Sequence, residues 1–152
     1  MNKKQRDSNR TLGWRLFGWG SLPRKLRPAL EAEGIRLLEE GLPGRFVTRR
    51  LKAPGRRYRF RREGFSGCIV LTGKRLLLCS YRKLQINIGP EDPRLRSLHV
   101  TTAHPGWLTI WFESARFHDD WKGVIEFRLK TPNAAQLKHE LISLGLSPGR
   151  PP

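Results

Sequence analysis

Gly67-Cys68-Ile69-Val70-Leu71-Thr72-Gly73-Lys74-Arg75-Leu76-Leu77-Leu78-Cys79-Ser80 is the stretch on which the fold turns. Two apolar runs of strand length flank Thr72, Gly73, Lys74 and Arg75, which is the pattern of a β-hairpin. A two-residue loop with Gly73 in its first central position predicts a type II′ turn, in which glycine takes positive φ without steric cost. Register follows from pairing Thr72 with Arg75. Leu71 then faces Leu76 and Ile69 faces Leu78 on one side, while Val70 faces Leu77 and Cys68 faces Cys79 on the other. Both sides are apolar, so this hairpin is expected to be the most buried of the domain.

Downstream, period-two alternation continues. Leu84, Ile86 and Ile88 alternate with Gln85 and Asn87, and Leu98, Val100 and Thr102 alternate with His99 and Thr101. Leu108, Ile110 and Phe112 face one way, with Trp107, Thr109 and Trp111 on the other. After a long loop over residues 114–122, Ile125, Phe127 and Leu129 face in and Glu126 and Arg128 out. Short strands at this spacing predict a sandwich or small barrel. Thr131 as cap, Pro132 in the first turn and Ala134, Leu137, Leu141 and Leu144 on one stripe predict an amphipathic helix ended by Gly145, placed to plug an open end of the barrel. Residues 145–152 are expected to be a disordered tail.

Upstream, residues 45–62 carry nine Lys/Arg and no acid. The two ends of this window read as strands joined at Ala53-Pro54-Gly55, with Arg57, Arg59 and Arg61 on the face opposite Tyr58 and Phe60. Before it, Gly41-Leu42-Pro43-Gly44 is expected to break the chain. Leu26, Leu30, Leu37 and Leu38 have helical spacing interrupted by Pro28 and Gly34, which predicts a short helix and then a turn or early strand. Residues 1–23 read as a flexible basic arm around Trp14, Arg15, Phe17 and Trp19. Rings beside a cation suit a membrane interface, where aromatics sit at headgroup level and arginine meets phosphate. The alternative is that the rings fold back over an open face of the domain.

Net charge is +17, and it is unevenly placed: residues 1–83 hold 22 Lys/Arg and 6 Asp/Glu, residues 84–152 only 8 and 7. A field this lopsided attracts polyanions. No apolar run approaches the roughly 20 residues of a membrane span. The glycine-broken start does not predict a secretory signal, and two cysteines do not make a disulfide framework, so a cytoplasmic location is expected, peripheral at the inner membrane face.

This element order, with Ile69-Val70-Leu71-Thr72-Gly73-Lys74-Arg75-Leu76-Leu77-Leu78 and the closing strand and helix over residues 124–144, resembles the pleckstrin-homology-like superfold, in particular its GRAM-type and bacterial branches. The resemblance covers residues 45–144. It implies a mainly β fold: a small antiparallel barrel of seven or eight strands with a C-terminal capping helix, preceded here by a short N-terminal helix. Residues 24–144 would form a single domain. It also implies a binding module rather than an enzyme. Members that bind phosphoinositides place Lys, then Lys/Arg-x-Arg, on the first strand pair, a pattern that Lys52 and Arg59-Phe60-Arg61 match.

The expected anion-binding residues are therefore Arg49, Arg50, Lys52, Arg56, Arg57, Arg59 and Arg61, extended by Lys74 and Arg75, since guanidinium forks pair bidentately with phosphate. The expected partner is an acidic phospholipid surface. Nucleic acid is the rival, opposed by rings and cations lying on opposite faces. A protein partner on a Trp107/Trp111 face is the third. Cys68 and Cys79 are read as buried thiols and His118-Asp119-Asp120 as solvated loop polarity. No nucleophile–base set, phosphate loop or metal-ligand spacing stands out, and no cofactor is expected.

Overall fold

The computed structural model describes residues 9–152; the basic start of the expected arm, residues 1–8, lies outside them. Helices α1 (Leu12–Phe17) and α2 (Arg27–Glu33) precede strands β1 (Ile35–Ala53), β2 (Arg56–Thr72), β3 (Leu76–Ser80), β4 (Lys83–Ile88), β5 (His99–Thr101), β6 (Trp107–Glu113) and β7 (Lys122–Lys130); α3 (Ala134–Leu144) and β8 (Ser147–Pro148) follow. The strands make one sheet in the order β4-β3-β2-β1-β7-β6-β5-β8. The fold is mainly β, an eight-stranded curled half-barrel with a C-terminal helix and a short N-terminal helical region. It corrects the expected barrel in two respects: the sheet is not closed, and β8 joins β5 in parallel.

The central hairpin has the register expected from its sequence, Cys68↔Cys79, Ile69↔Leu78, Val70↔Leu77 and Leu71↔Leu76. Its turn does not have the expected type. Gly73 is absent from the residues with positive φ. The turn is held instead by Thr72, whose hydroxyl accepts from the Lys74 and Arg75 N–H groups, both at 3.1 Å, while its own N–H donates to the Arg75 carbonyl. A side-chain acceptor at the turn's first residue satisfies the donors and leaves glycine's freedom unused.

Alternation explains two cores. Ile69, Leu71, Leu76 and Leu78 join Ile86, Ile110, Phe127, Leu129, Leu137 and Leu141 in the main core, so residues from both ends of the sheet order meet, and α3 covers them. The opposite side of the same hairpin, Cys68, Val70, Leu77 and Cys79, packs with Leu22 and Leu30 of the N-terminal region. A hairpin apolar on both faces needs a cover on each, and α2 with its flanking segment supplies the second.

The strand β1 runs through Gly41-Leu42-Pro43-Gly44, where a chain break was expected. Register shifts between Ile35 and Leu37 and between Glu39 and Leu42 absorb the irregularity, with Gly41 at φ 68°. Gly41 also lets Trp14 lie against the strand, since an added β-carbon would stand 2.4 Å from the ring. Residues 9–23 are thus seated on the sheet: Thr11 N donates to Gly41 O, Gly41 N to Gly20 O, Gly20 N to Tyr81 O, and Ser66 Oγ to Trp19 O. The helix α3 begins at Ala134, later than expected, with Thr131 Oγ1 donating to Glu39 rather than capping the helix and Pro132 before the first turn. Residues 145–152 pass Leu146 into the core and lay β8 on β5.

Candidate functional site

The long strand β2 has two environments. Residues 67–71 pair with β3, whereas, among the described residues, 56–64 pair only with β1 and have no strand on their other edge. Arg56, Arg57, Arg59, Arg61 and Arg62 occupy that edge and are all exposed. Charge on an open edge prevents pairing with a second chain, and the same charge presents a line of cations. The hairpin joins at residues 53–55 as expected, and Lys52, Ala53, Gly55, Arg56 and Arg57 line a shallow concavity of about 390 Å³ at its tip.

One row across this tip is decisive. Lys52 of β1 lies opposite Arg57 of β2 and opposite Lys122 of β7, and all three are exposed. Like charges facing one another across strands are destabilising, by roughly 0.2–1 kcal/mol per pair, so the row is relieved when an anion bridges it. Lys122 was not identified from the sequence. Its neighbour Lys52 is seventy positions away, and only the closing of β7 onto β1 brings them together.

Other expected residues are engaged elsewhere. Arg49 Nε lies 2.9 Å from the Glu126 carboxylate; Arg61 pairs with Glu63 and, against the expected separation of rings and cations onto opposite faces, its guanidinium reaches 4.8 Å over the Tyr58 ring. Arg50, at φ 50°, is exposed beside the bulge where β7 shifts register. Lys74 and Arg75 sit at the far end of the 17-residue β2 and do not join the tip. Arg75 is a structural clip, its Nε 2.9 Å and Nη2 2.6 Å from the Glu33 carboxylate.

A second patch adjoins the open edge. Leu12, Leu16, Phe17 and Trp19 are exposed, the last three at 64%, 58% and 42%, and Tyr81 and Leu84 join them as exposed apolar side chains. Phe17 stacks on Trp19 at 5.1 Å, Trp19 meets Tyr81 edge-on at 5.8 Å, and Tyr81 Oη donates to Gly64 O at 2.9 Å. This chain of contacts ends two residues from Arg62. The β3–β4 turn adds Arg82, which donates to Phe17 O, and β4 begins with exposed Lys83. Of the expected anchor residues, Phe17 and Trp19 form this surface and Arg15 borders it, while Trp14 turns inward against Gly41 with Arg10 over its ring at 4.1 Å. Tyr81 and Lys83 escaped the sequence reading because nothing local ties that turn to α1.

Cys68 and Cys79 are free and buried, and a hydrogen bond with Cys79, followed by burial, pushes the Cys68 thiol up and keeps it protonated. Trp107 and Trp111 do not form the open face expected for a protein partner. Arg45 lies 4.9 Å over Trp107, and Trp111, 8% exposed, donates Nε1–H to Gly149 O. Among the described residues, no helix is long and apolar enough to cross a membrane. No protein family, curated protein or solved structure matched the chain on comparison.

Proposed function

We propose that this chain is a non-enzymatic binding module of the pleckstrin-homology-like kind, docking peripherally on acidic phospholipid from the cytoplasmic side. The reading of the superfold is supported by the antiparallel run β4-β3-β2-β1-β7-β6-β5, ordered as a meander that opens between β4 and β5, and by the helix that follows β7. One observation carries the function: an exposed apolar patch on α1 and the β3–β4 turn abuts an unpaired, arginine-lined strand edge. Apolar side chains of this size gain roughly 1.5–3 kcal/mol each on full burial, and each Lys/Arg near an anionic surface about 1 kcal/mol. Neither suffices alone for stable attachment, and together they do. Nucleic acid fits less well, because Arg61 caps one face of the Tyr58 ring and leaves Phe60 as the exposed ring of the edge.

Co-sedimentation with vesicles tests this. Binding is expected to vesicles containing phosphatidylserine, weakly or not at all to neutral ones, and to be lost in Leu16→Ser/Phe17→Ser. Equal binding to neutral vesicles, or full retention by that double variant, overturns it. A salt-dependent titration with single-stranded oligonucleotide that outcompetes the vesicles favours the rival.

A further inference from the structure

We propose that the outer face of β1, β7, β6 and β5 carries a separate cleft for a small soluble ligand bearing a phosphate group. This site is distinct from the membrane-docking surface and does not depend on it.

The register builds it. Arg45 of β1 is directly opposite Arg128 of β7, Arg128 opposite Thr109 of β6, and Thr109 opposite Thr101 of β5, so two guanidinium groups and two hydroxyls share one row. Glu126, in the next row, is fully buried, with Arg49 Nε 2.9 Å and Arg128 Nη2 3.3 Å from its carboxylate. That carboxylate neutralises one of the three arginines and leaves the group of four with a surplus of positive charge. A buried carboxylate held by two guanidinium groups fixes their positions, which prepares them for a ligand instead of leaving them to search for one. Arg128 Nε is buried with no hydrogen-bond partner among the described residues, a donor left for something else to satisfy. Arg45, stacked over Trp107, is likewise pre-positioned.

The space has the right scale. A recess of about 250 Å³ lies over Arg49, Thr101, Thr109, Glu126 and Arg128, with Arg150 and Pro151 as its wall, and a neighbouring one of about 210 Å³ is shared by Arg45, His104, Trp107 and Arg128. Each is several times the roughly 30 Å³ share of one water, so a compact oxyanion group fits. The wall is tied down by Gly149, whose carbonyl accepts from Trp111 Nε1 at 2.9 Å and whose N–H donates to Val100 O at 3.2 Å. Charge-assisted forks from arginine match the paired oxygens of a phosphate group.

The test is a titration of the intact chain with inorganic phosphate at constant ionic strength, followed by NMR of the His104 imidazole and the Trp107 indole. Saturable shifts at both are expected. Arg45→Gln, whose side chain is outside the Glu126 pair, is expected to weaken binding by about tenfold, the value of one charge-assisted contact. His104→Gln, at an exposed loop position, is followed through Trp107 and is expected to weaken it less. The triple variant Lys52→Gln/Arg57→Gln/Lys122→Gln is expected to leave phosphate shifts unchanged while reducing vesicle binding. Shifts that fail to saturate, that survive Arg45→Gln undiminished in a chain with unchanged dispersion, or that vanish in the hairpin-tip variant overturn the cleft without touching the membrane reading. Loss of vesicle binding with intact phosphate shifts in Leu16→Ser/Phe17→Ser leaves the cleft standing.

Discussion

The two halves of β2 belong to one uninterrupted strand and share one partner, β1, yet residues 65–72 are buried throughout and residues 56–64 almost nowhere. What differs is the company. The second half has β3 on its other edge, the main core on one face and the α2 region on the other. The first half has an edge left open among the described residues, and eight of its nine residues are exposed. A strand is therefore not a unit of stability. Its ladder extends as far as the backbone bonds reach, while its burial follows the covers that other elements supply, and the half without a cover is where binding chemistry collects.

The sharpest way to break this contrast is a truncation in each half. Leu78→Ala, opposite Ile69 in the buried half, is expected to cost about 2–5 kcal/mol in urea unfolding, whereas Arg59→Gln is expected to change stability by less than about 0.5 kcal/mol. Similar losses from both would remove the distinction.

Next in size is the seat of the N-terminal cover. Gly41→Ala forces an alanine into positive φ with its β-carbon 2.4 Å from Trp14, so a loss of about 1–3 kcal/mol is expected, together with weakened vesicle binding as α1 leaves its place. Thermal melts and co-sedimentation read the two effects. Unchanged vesicle binding in a destabilised protein would detach α1 from the proposed surface.

Smaller still is the clip at the buried half's turn. Arg75→Ala removes a partly exposed pair with Glu33, for which about 1 kcal/mol or less is expected by denaturant titration. Smallest is the tip. Neutralising Lys52, Arg57 and Lys122 together relieves a like-charge row, so the melting temperature is expected to hold or rise slightly while affinity for anionic vesicles falls. A clear fall in melting temperature would make those residues structural.

Much of this architecture was legible before any coordinates. The hairpin register came from a short loop between two apolar runs, and the Leu108/Ile110/Phe112 and Ile125/Phe127/Leu129 faces from alternation; all are local, period-two properties. The hairpin turn was misread because Thr72, not Gly73, organises it. The basic tip was legible as a composition, but its working row was not, and the β3–β4 turn that extends the aromatic patch carried no signal at all.

By itself, the sequence determined which residues share a face, since side-chain direction alternates along any strand whatever packs on it. Only the tertiary structure decided what each face meets. Glu126 alternates as an outward residue and is nonetheless completely buried, because Arg49 and Arg128 neutralise it beneath neighbouring side chains. Trp111 is closed over by a segment expected to be disordered, and Lys122 acquires its neighbours from strands far away in the chain. Alternation is a property of the backbone, but burial and charge pairing are set by contacts between distant segments, and those exist only once the sheet has curled.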